Sequence, residues 1–220
     1  GAGSGILSIA LLERLQGIPQ LKSVHLVCYE NDSKIIELLK TNLDWVCQNS
    51  TIQINYEIRE DNYISSQILD YNGMIGANPS PLKYDMVVSN PPYMKMTKDS
   101  PEAKAMPDVC YGAPNLYFLF AAMGLFNLIH NGELVYIIPR SWTSGAYFKR
   151  FRQKFLSEGT LQHIHLFVSR DKVFDKESVL QETIIIKVRK STQKLSKVVI
   201  TTTQSNNDFS NITTFEAPYT

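Results

Sequence analysis

Tyr84-Asp85-Met86-Val87-Val88-Ser89-Asn90-Pro91-Pro92-Tyr93 is the stretch on which the fold turns. Residues 84–89 are short and apolar and read as a buried strand. Asn90-Pro91-Pro92-Tyr93 ends it, because consecutive prolines hold φ near about −65° and remove two N–H donors. The segment becomes a rigid rim whose carbonyls, with the Asn90 amide oxygen, can face a cleft. At ordinary residue frequencies four fully specified residues recur by chance in a chain this long about once in a thousand. The plainer reading is a proline-rich strand terminator with Tyr93 packed on the surface.

Downstream, residues 94–114 read as a loop and residues 115–130 as a strongly apolar helix. Residues 133–138 read as a strand closed by Pro139, and residues 143–157 as an amphipathic, basic helix. Strands over 161–168 and 183–189 flank a charged stretch, 198–203 reads as a further strand, and the tail is polar. Upstream, Ile52, Ile54, Tyr56 and Ile58 alternate as a strand does over residues 51–58. Residues 32–47 are helical, with Asp32 or Ser33 as N-cap, and residues 23–29 read as a buried strand. Residues 5–16 have helical spacing after a glycine-rich turn. Strand and helix alternate from the start, which predicts βαβ units in a mostly parallel sheet with helices on both faces. In such sheets ligands sit at the carboxyl ends of strands.

Composition narrows the class. A chain of 220 residues, 44% hydrophobic and 20% charged, makes one domain, or one with a small appendage. No apolar run approaches the roughly 18–20 residues of a membrane span. Cys28, Cys47 and Cys110 are widely spaced, which argues against a disulfide framework and a CxxC metal site and for a reducing compartment. Residues 1–139 carry 9 basic and 14 acidic side chains, whereas residues 140–197 carry 13 basic and 5 acidic. A segment of charge +8 on a nearly neutral chain suits an anionic partner, or is a set of solvated helix and strand exteriors. His163 and His165 alternate on a strand, but no third metal ligand accompanies them.

Gly1-Ala2-Gly3-Ser4-Gly5 precedes a helix, where glycine permits a tight turn and close approach of a ligand to the backbone. Glu30 closes the strand at 23–29, the place where an acid accepts hydrogen bonds from two ribose hydroxyls in dinucleotide folds. Taken alone, the residue reads more readily as a solvated strand-end acid or part of the N-cap region of the next helix. Asp61, just past the next strand, suits an adenine amino group, though alone it is a weak signal.

Gly1–Gly5, Glu30, Asp61 and Asn90–Tyr93 together resemble the class I S-adenosylmethionine-dependent methyltransferases. Within them the chain is similar to the N6-adenine DNA methyltransferases of restriction–modification systems, of the PstI and BsuBI modification type with an Eco57I-like catalytic domain. The resemblance runs from residue 1 to about residue 190 and includes Asn115–Phe120, Gly132–Pro139, Arg140-Ser141-Trp142 and Val173-Phe174.

The resemblance implies a Rossmann-like, mostly parallel seven-stranded sheet with a C-terminal antiparallel hairpin. It implies S-adenosylmethionine as cofactor, held by Gly1, Ala2, Gly3, Gly5, Glu30, Asp61, Asn62 and Phe120. Asn90, Pro91, Pro92 and Tyr93 become the catalytic motif, and Tyr93 and Phe174 stack on the target base. Phe120 and Phe174 also suit ordinary core positions. The implied partner is double-stranded DNA, with a cognate restriction endonuclease activity, in a cytoplasmic protein without metal or membrane. The acid-Pro step before the glycine turn is absent, so the first strand, expected between residues 23–29 and 84–89, is missing. Asn62 and Tyr63 stand where the family often has Phe, which leaves open what packs on the cofactor adenine. Residues 1–197 are the expected catalytic domain, and 198–220 the start of an extension toward a target-recognition domain. Two other readings of the motif are protein-glutamine methylation on release factors and a catalytically silent nucleic-acid-binding module. N4-cytosine methylation is a third, although those enzymes more often carry Ser in place of Asn90.

Overall fold

Apolar residues at alternate positions make strands of Ser23–Tyr29 (β1) and Gln53–Arg59 (β2), and the computed structural model pairs them in parallel, Ser23 opposite Gln53 through Tyr29 opposite Arg59. The structure describes residues 1–168, 182–205 and 209–219, and they divide into two units, Gly1–Gln67 and Ile68–Thr220. In the first, helix α1 (Ile6–Gln16) precedes β1, and α2 (Ser33–Asn49) makes the crossover that a parallel pair requires. The Asp32 side chain caps α2, accepting from the Lys34 N–H at 3.0 Å. Leu39, Leu43 and Val46, three and four residues apart on one face of α2, pack with Leu12 and Cys28 as the core of this unit.

The second unit contains α3 (Ile68–Asn72), β3 (Tyr84–Ser89), α4 (Pro101–Ala105), α5 (Leu116–Phe126), β4 (Leu128–Pro139) and α6 (Lys149–Glu158). It continues through β5 (Gly159–Phe167), β6 (Thr183–Lys190), β7 (Lys197–Thr203) and β8 (Thr213–Pro218). Its six strands lie in the order β3-β4-β6-β5-β7-β8. The β3/β4 and β5/β7 pairs are parallel and the other three antiparallel. Helix α5 has no polar face, and every residue from Leu116 to Leu125 is buried. It lies close to β4, where a Cβ on Gly124 would fall 2.5 Å from the Tyr136 hydroxyl oxygen. That hydroxyl donates to the Phe120 carbonyl at 3.2 Å. On α6, Phe151 packs against Phe118 and Trp142, with ring centroids 5.2 and 5.7 Å apart.

Among the described residues the expected seven-stranded sheet, short of its first strand, is corrected to two sheets, of two and six strands, and three of the six-stranded sheet's five pairings are antiparallel. The expected hairpin is there, since β6 runs antiparallel to both β4 and β5. Among the described residues, β1 pairs only with β2 and β3 only with β4. Strand β8 lies in what read as a polar tail. It is the sheet's outer strand and mostly exposed, so it lacks the apolar alternation that marks a half-buried strand. Within 198–220, the described strands β7 and β8 are bonded into the sheet. Helix α5 ends at Phe126 rather than near residue 130, and β4 begins at Leu128. The apolar run crosses that boundary without a change that periodicity can register. Among the described residues no helix is long and apolar enough to cross a membrane.

His163 and His165 belong to a hydrogen-bonded chain between β5 and β7. The Thr203 hydroxyl donates to the Ser205 carbonyl at 2.9 Å, so it accepts from His165 Nε2 at 3.1 Å. His165 Nδ1 is then the acceptor for the Thr201 hydroxyl at 2.8 Å, and Thr201 Oγ1 accepts from His163 Nε2, also at 2.8 Å. Both rings are neutral in this arrangement. Burial, aided by Lys187 beside His163 and by His163 beside His165, holds both below the usual 6.5. The unfolded chain takes up protons as the pH falls through about 6.5, and the folded chain does so only lower. Stability is therefore highest above that pH and declines beneath it. The urea midpoint should drop between pH 7 and 5.5, and the drop should shrink in His165→Gln; an equal drop in the variant would assign the slope to other groups.

Candidate active site

The glycine turn is built around one carboxylate. Gly3 and Gly5 adopt φ of 58° and 88°, the left-handed region that side chains other than glycine's rarely occupy. Gly5 starts α1 against α2, where a Cβ would lie 2.8 Å from Leu39 Cδ1. The loop is tied down by Ala2 N–H to the Tyr29 carbonyl at 2.7 Å and by Asn42 Nδ2 to the Ser4 carbonyl at 2.8 Å. Glu30, 6% exposed at the end of β1, accepts from the Gly3 N–H at 2.8 Å through one oxygen and from the Asp32 N–H at 3.0 Å through the other. Burial pushes the Glu30 carboxyl up, but the backbone N–H groups of Asp32 and Gly3, the nearby Gly1 amino group and the Asn31 N–H together outweigh it, and the net shift is below its ordinary value. An ionised, buried acid thus faces a loop with open space beside Gly3, where a Cβ would meet nothing within 4 Å.

Asp61 and Asn62 follow β2 in the same unit. Asp61 is exposed. Asn62 Oδ1 accepts from the N–H groups of Ile64 and Ser65 at 3.1 and 3.0 Å and so opens the next turn. Tyr63, whose place relative to the cofactor the sequence left open, packs edge to face on Tyr29 with centroids 4.9 Å apart.

Asn90, Pro91, Pro92 and Tyr93 lie in the second unit, directly after β3. Pro91 is buried and Asn90 and Pro92 are exposed, so the rim is seated at one proline and open on either side. Two backbone bonds fix the chain beyond Tyr93: Leu116 N–H to the Met94 carbonyl at 2.8 Å and Met96 N–H to the Pro114 carbonyl at 2.7 Å. The Tyr93 hydroxyl donates to Asn90 Oδ1 at 2.7 Å, with the Ile137 carbonyl at 3.1 Å as a second acceptor. Phe120 lies within the buried length of α5, 9% exposed. Phe174 lies outside the described residues. Among those described, no group of three His, Cys, Asp or Glu side chains could hold a metal ion.

Three contributors escaped the sequence reading. Asn42, which holds the glycine loop, sits mid-helix with nothing around it to single it out. Tyr117 and Ser141, joined through their hydroxyl oxygens at 3.2 Å, stand within recognisable segments but without a signal of role. Tyr117 is 1% exposed, and its ring meets that of Tyr93 edge to face at 6.3 Å.

The α/β architecture is that of the class I methyltransferases. A structure from Listeria monocytogenes, described as a candidate class I S-adenosylmethionine-dependent methyltransferase, shares the fold at a TM-score of 0.59 and 17% identity, over 93% of this chain and 65% of that one. The M protein of the type I restriction enzyme EcoKI does so at 0.61 and 14%, over 92% and 42%. The type IIG restriction endonuclease BpuSI does so at 0.65 and 16%, over 98% and 30%. In sequence, the Eco57I restriction-modification methylase family matches residues 17–174. The type II methyltransferases M.BsuBI of Bacillus subtilis and M.PstI of Providencia stuartii are each 34% identical over 223 residues, covering 100% of this chain and 43% of theirs. The chain belongs to the Eco57I restriction-modification methylase family, and it spans less than half the length of those two relatives.

Glu30→Gln keeps the shape at β1 but turns one acceptor into an amide that faces backbone N–H groups. We expect a loss of about 1–3 kcal/mol at pH 7, the usual penalty for a buried hydrogen-bonding group left without its partner. The wild-type carboxylate stabilises the fold above its unfolded value near 4.5, and that contribution is lost as pH falls through the lower folded value. Urea unfolding at pH 7 and 3.5 checks both, and the difference between the proteins should narrow in acid. A gap independent of pH would deny the carboxylate this role.

Proposed function

We propose that this chain is the catalytic part of a DNA methyltransferase that moves a methyl group from S-adenosylmethionine to N6 of an adenine within a specific DNA sequence. Residues 1–197 carry the chemistry in this reading, and the enzyme protects host DNA in a cytoplasmic restriction–modification system beside a cognate endonuclease. The observation that supports it best is the Asn90 amide, exposed at the end of β3, followed by rigid prolines and held through its Oδ1 by Tyr93. The family's matched relatives are type II methyltransferases. That background does not favour the protein-glutamine or silent-module readings.

The residues present fit the cofactor. Glu30 is ionised, and each carboxylate oxygen that accepts one backbone N–H retains capacity for a ribose hydroxyl. Gly1, Ala2, Gly3 and Gly5 give a loop with open space beside Gly3, and Asp61 is exposed to take an amino group. When bound, the cofactor supplies an electrophilic methyl group on a sulfonium.

On the other side of the reaction, the adenine N6 lone pair is delocalised into the ring and is a poor nucleophile. Asn90 Oδ1 and the Pro91 carbonyl accept the two amino protons, which favours tetrahedral nitrogen and directs the lone pair outward. An amide suffices because no proton needs to leave before methyl transfer; the work is orientation and electrostatics. The base must first leave the duplex, at a few kcal/mol, and stacking on Tyr93 and Phe174 offsets about 1–3 kcal/mol per contact.

In the full-length enzyme, Asn90→Ala should abolish methyl transfer to duplex DNA while cofactor affinity stays within a few-fold. Glu30→Ala should instead weaken the cofactor by about 1.5–3 kcal/mol, the worth of charge-assisted hydrogen bonds. Tritium transfer and titration calorimetry separate the two losses. Turnover near wild type in Asn90→Ala would remove the motif from the mechanism.

A further inference from the structure

The Tyr93 side chain is tied at both of its ends. Its hydroxyl donates to Asn90 Oδ1 at 2.7 Å, with the Ile137 carbonyl at 3.1 Å. Its ring stands edge on to Tyr117, with centroids 6.3 Å apart and planes at 90°. Tyr117 cannot shift freely, since its ring is 1% exposed and its hydroxyl is joined to Ser141 Oγ at 3.2 Å. Ser141 is fixed in turn by the 3-10 turn Arg140–Thr143 after β4. A run of contacts therefore leads from the end of β4, through α5, to the amide at the end of β3.

The direction of the hydrogen bond matters. A phenol has one proton, which Asn90 Oδ1 at 2.7 Å and the Ile137 carbonyl at 3.1 Å both reach, and the shorter contact is the one to Oδ1; given there, it selects which end of the Asn90 amide is the oxygen. An unrestrained amide on an exposed residue rotates about its terminal torsion and presents nitrogen as readily as oxygen. A carbonyl oxygen has two lone pairs, so the bond to Tyr93 leaves Oδ1 able to accept a second donor.

We propose that the Tyr93 hydroxyl, backed by Tyr117 and Ser141, is a positioning group for Asn90, separate from the stacking duty of the Tyr93 ring. This rests on the adenine-methylation reading above and deepens it. Tyr93 then has two separable functions: the ring receives a base, and the hydroxyl keeps the acceptor oxygen of Asn90 turned toward it. Tyr117 and Ser141 touch no substrate and act through Tyr93.

The test uses the full-length enzyme, duplex DNA carrying its recognition site for the methylation rate, and a second duplex with 2-aminopurine at the target position, which has no 6-amino group to methylate, as a reporter of extrusion. Tyr93→Phe keeps the ring and removes the hydroxyl. Its single-turnover methylation rate should fall by about 3–10-fold, the range set by one hydrogen bond. The 2-aminopurine signal and the DNA affinity should stay within about twofold of wild type. Ser141→Ala, an exposed position where loss of fold is not expected, should lower the rate in the same direction by a smaller factor. Adding Ser141→Ala to Tyr93→Phe should lower it no further, because the pathway already lacks its last step; a structural role would give multiplicative losses. A Tyr93→Phe rate equal to wild type, or multiplicative losses in the double variant, would overturn the proposal. If Asn90→Ala itself remains active, the failure lies with the adenine-methylation reading and not with this positioning role.

Discussion

Helix α5 has no polar face, and the second unit is organised by the need to enclose it. Strand β4 covers one side so closely that a Cβ at residue 124 would displace the Tyr136 hydroxyl. Helix α6 brings Phe151 against Phe118. Once the helix is held, its N-terminal end fixes the loop that carries the amide. Leu116 N–H bonds the Met94 carbonyl, Met96 N–H bonds the Pro114 carbonyl, and Tyr117 supports the Tyr93 ring. A loop rich in proline cannot anchor itself with its own N–H groups. Here the donors come partly from the start of the next helix, so burial of an apolar helix becomes precision in an exposed side chain.

The first unit meets a different constraint with similar economy. A carboxylate buried at the end of β1 would be unfavourable without donors. The glycine turn supplies one at Gly3, and the entry to α2 supplies another at Asp32. The loop and the acid thus stabilise each other before any ligand arrives. In the function proposed here the same carboxylate later accepts from ribose hydroxyls, so its ionised state is set in advance by the backbone.

Much of this was legible in the sequence, and the reasons differ by element. Strand β2 and helix α2 were visible because their burial is periodic, and β1 and β3 because they are short apolar runs with strong signals beside them, Asp32 at one and Asn90-Pro91-Pro92 at another. The boundary between α5 and β4 was not, since Leu125-Phe126 and Leu128-Ile129 continue one apolar run across it. Strand β8 was hidden because an exposed outer strand has no buried face to impose a pattern. Division into two sheets falls where the sequence left a strand unaccounted for, between residues 23–29 and 84–89; the order of the strands beyond β4 was not visible, because a strand's own residues do not state which neighbours it bonds. Among the candidate residues, Glu30 in the first unit and Asn90 in the second stood out by position after a strand. Asn42, Tyr117 and Ser141 act through single contacts that only tertiary structure creates, and no local pattern precedes them.

The action of the Asn90 amide on the amino group of adenine is the centre of the proposed chemistry. Its most direct test is to incubate the full-length enzyme with duplex DNA and cofactor carrying a deuterated methyl group, digest the product to nucleosides, and identify the labelled species by mass spectrometry. The expected result is label in N6-methyladenine alone, at one position of one recurring sequence. Label in N4-methylcytosine, or in glutamine of a protein substrate with none in DNA, would contradict it.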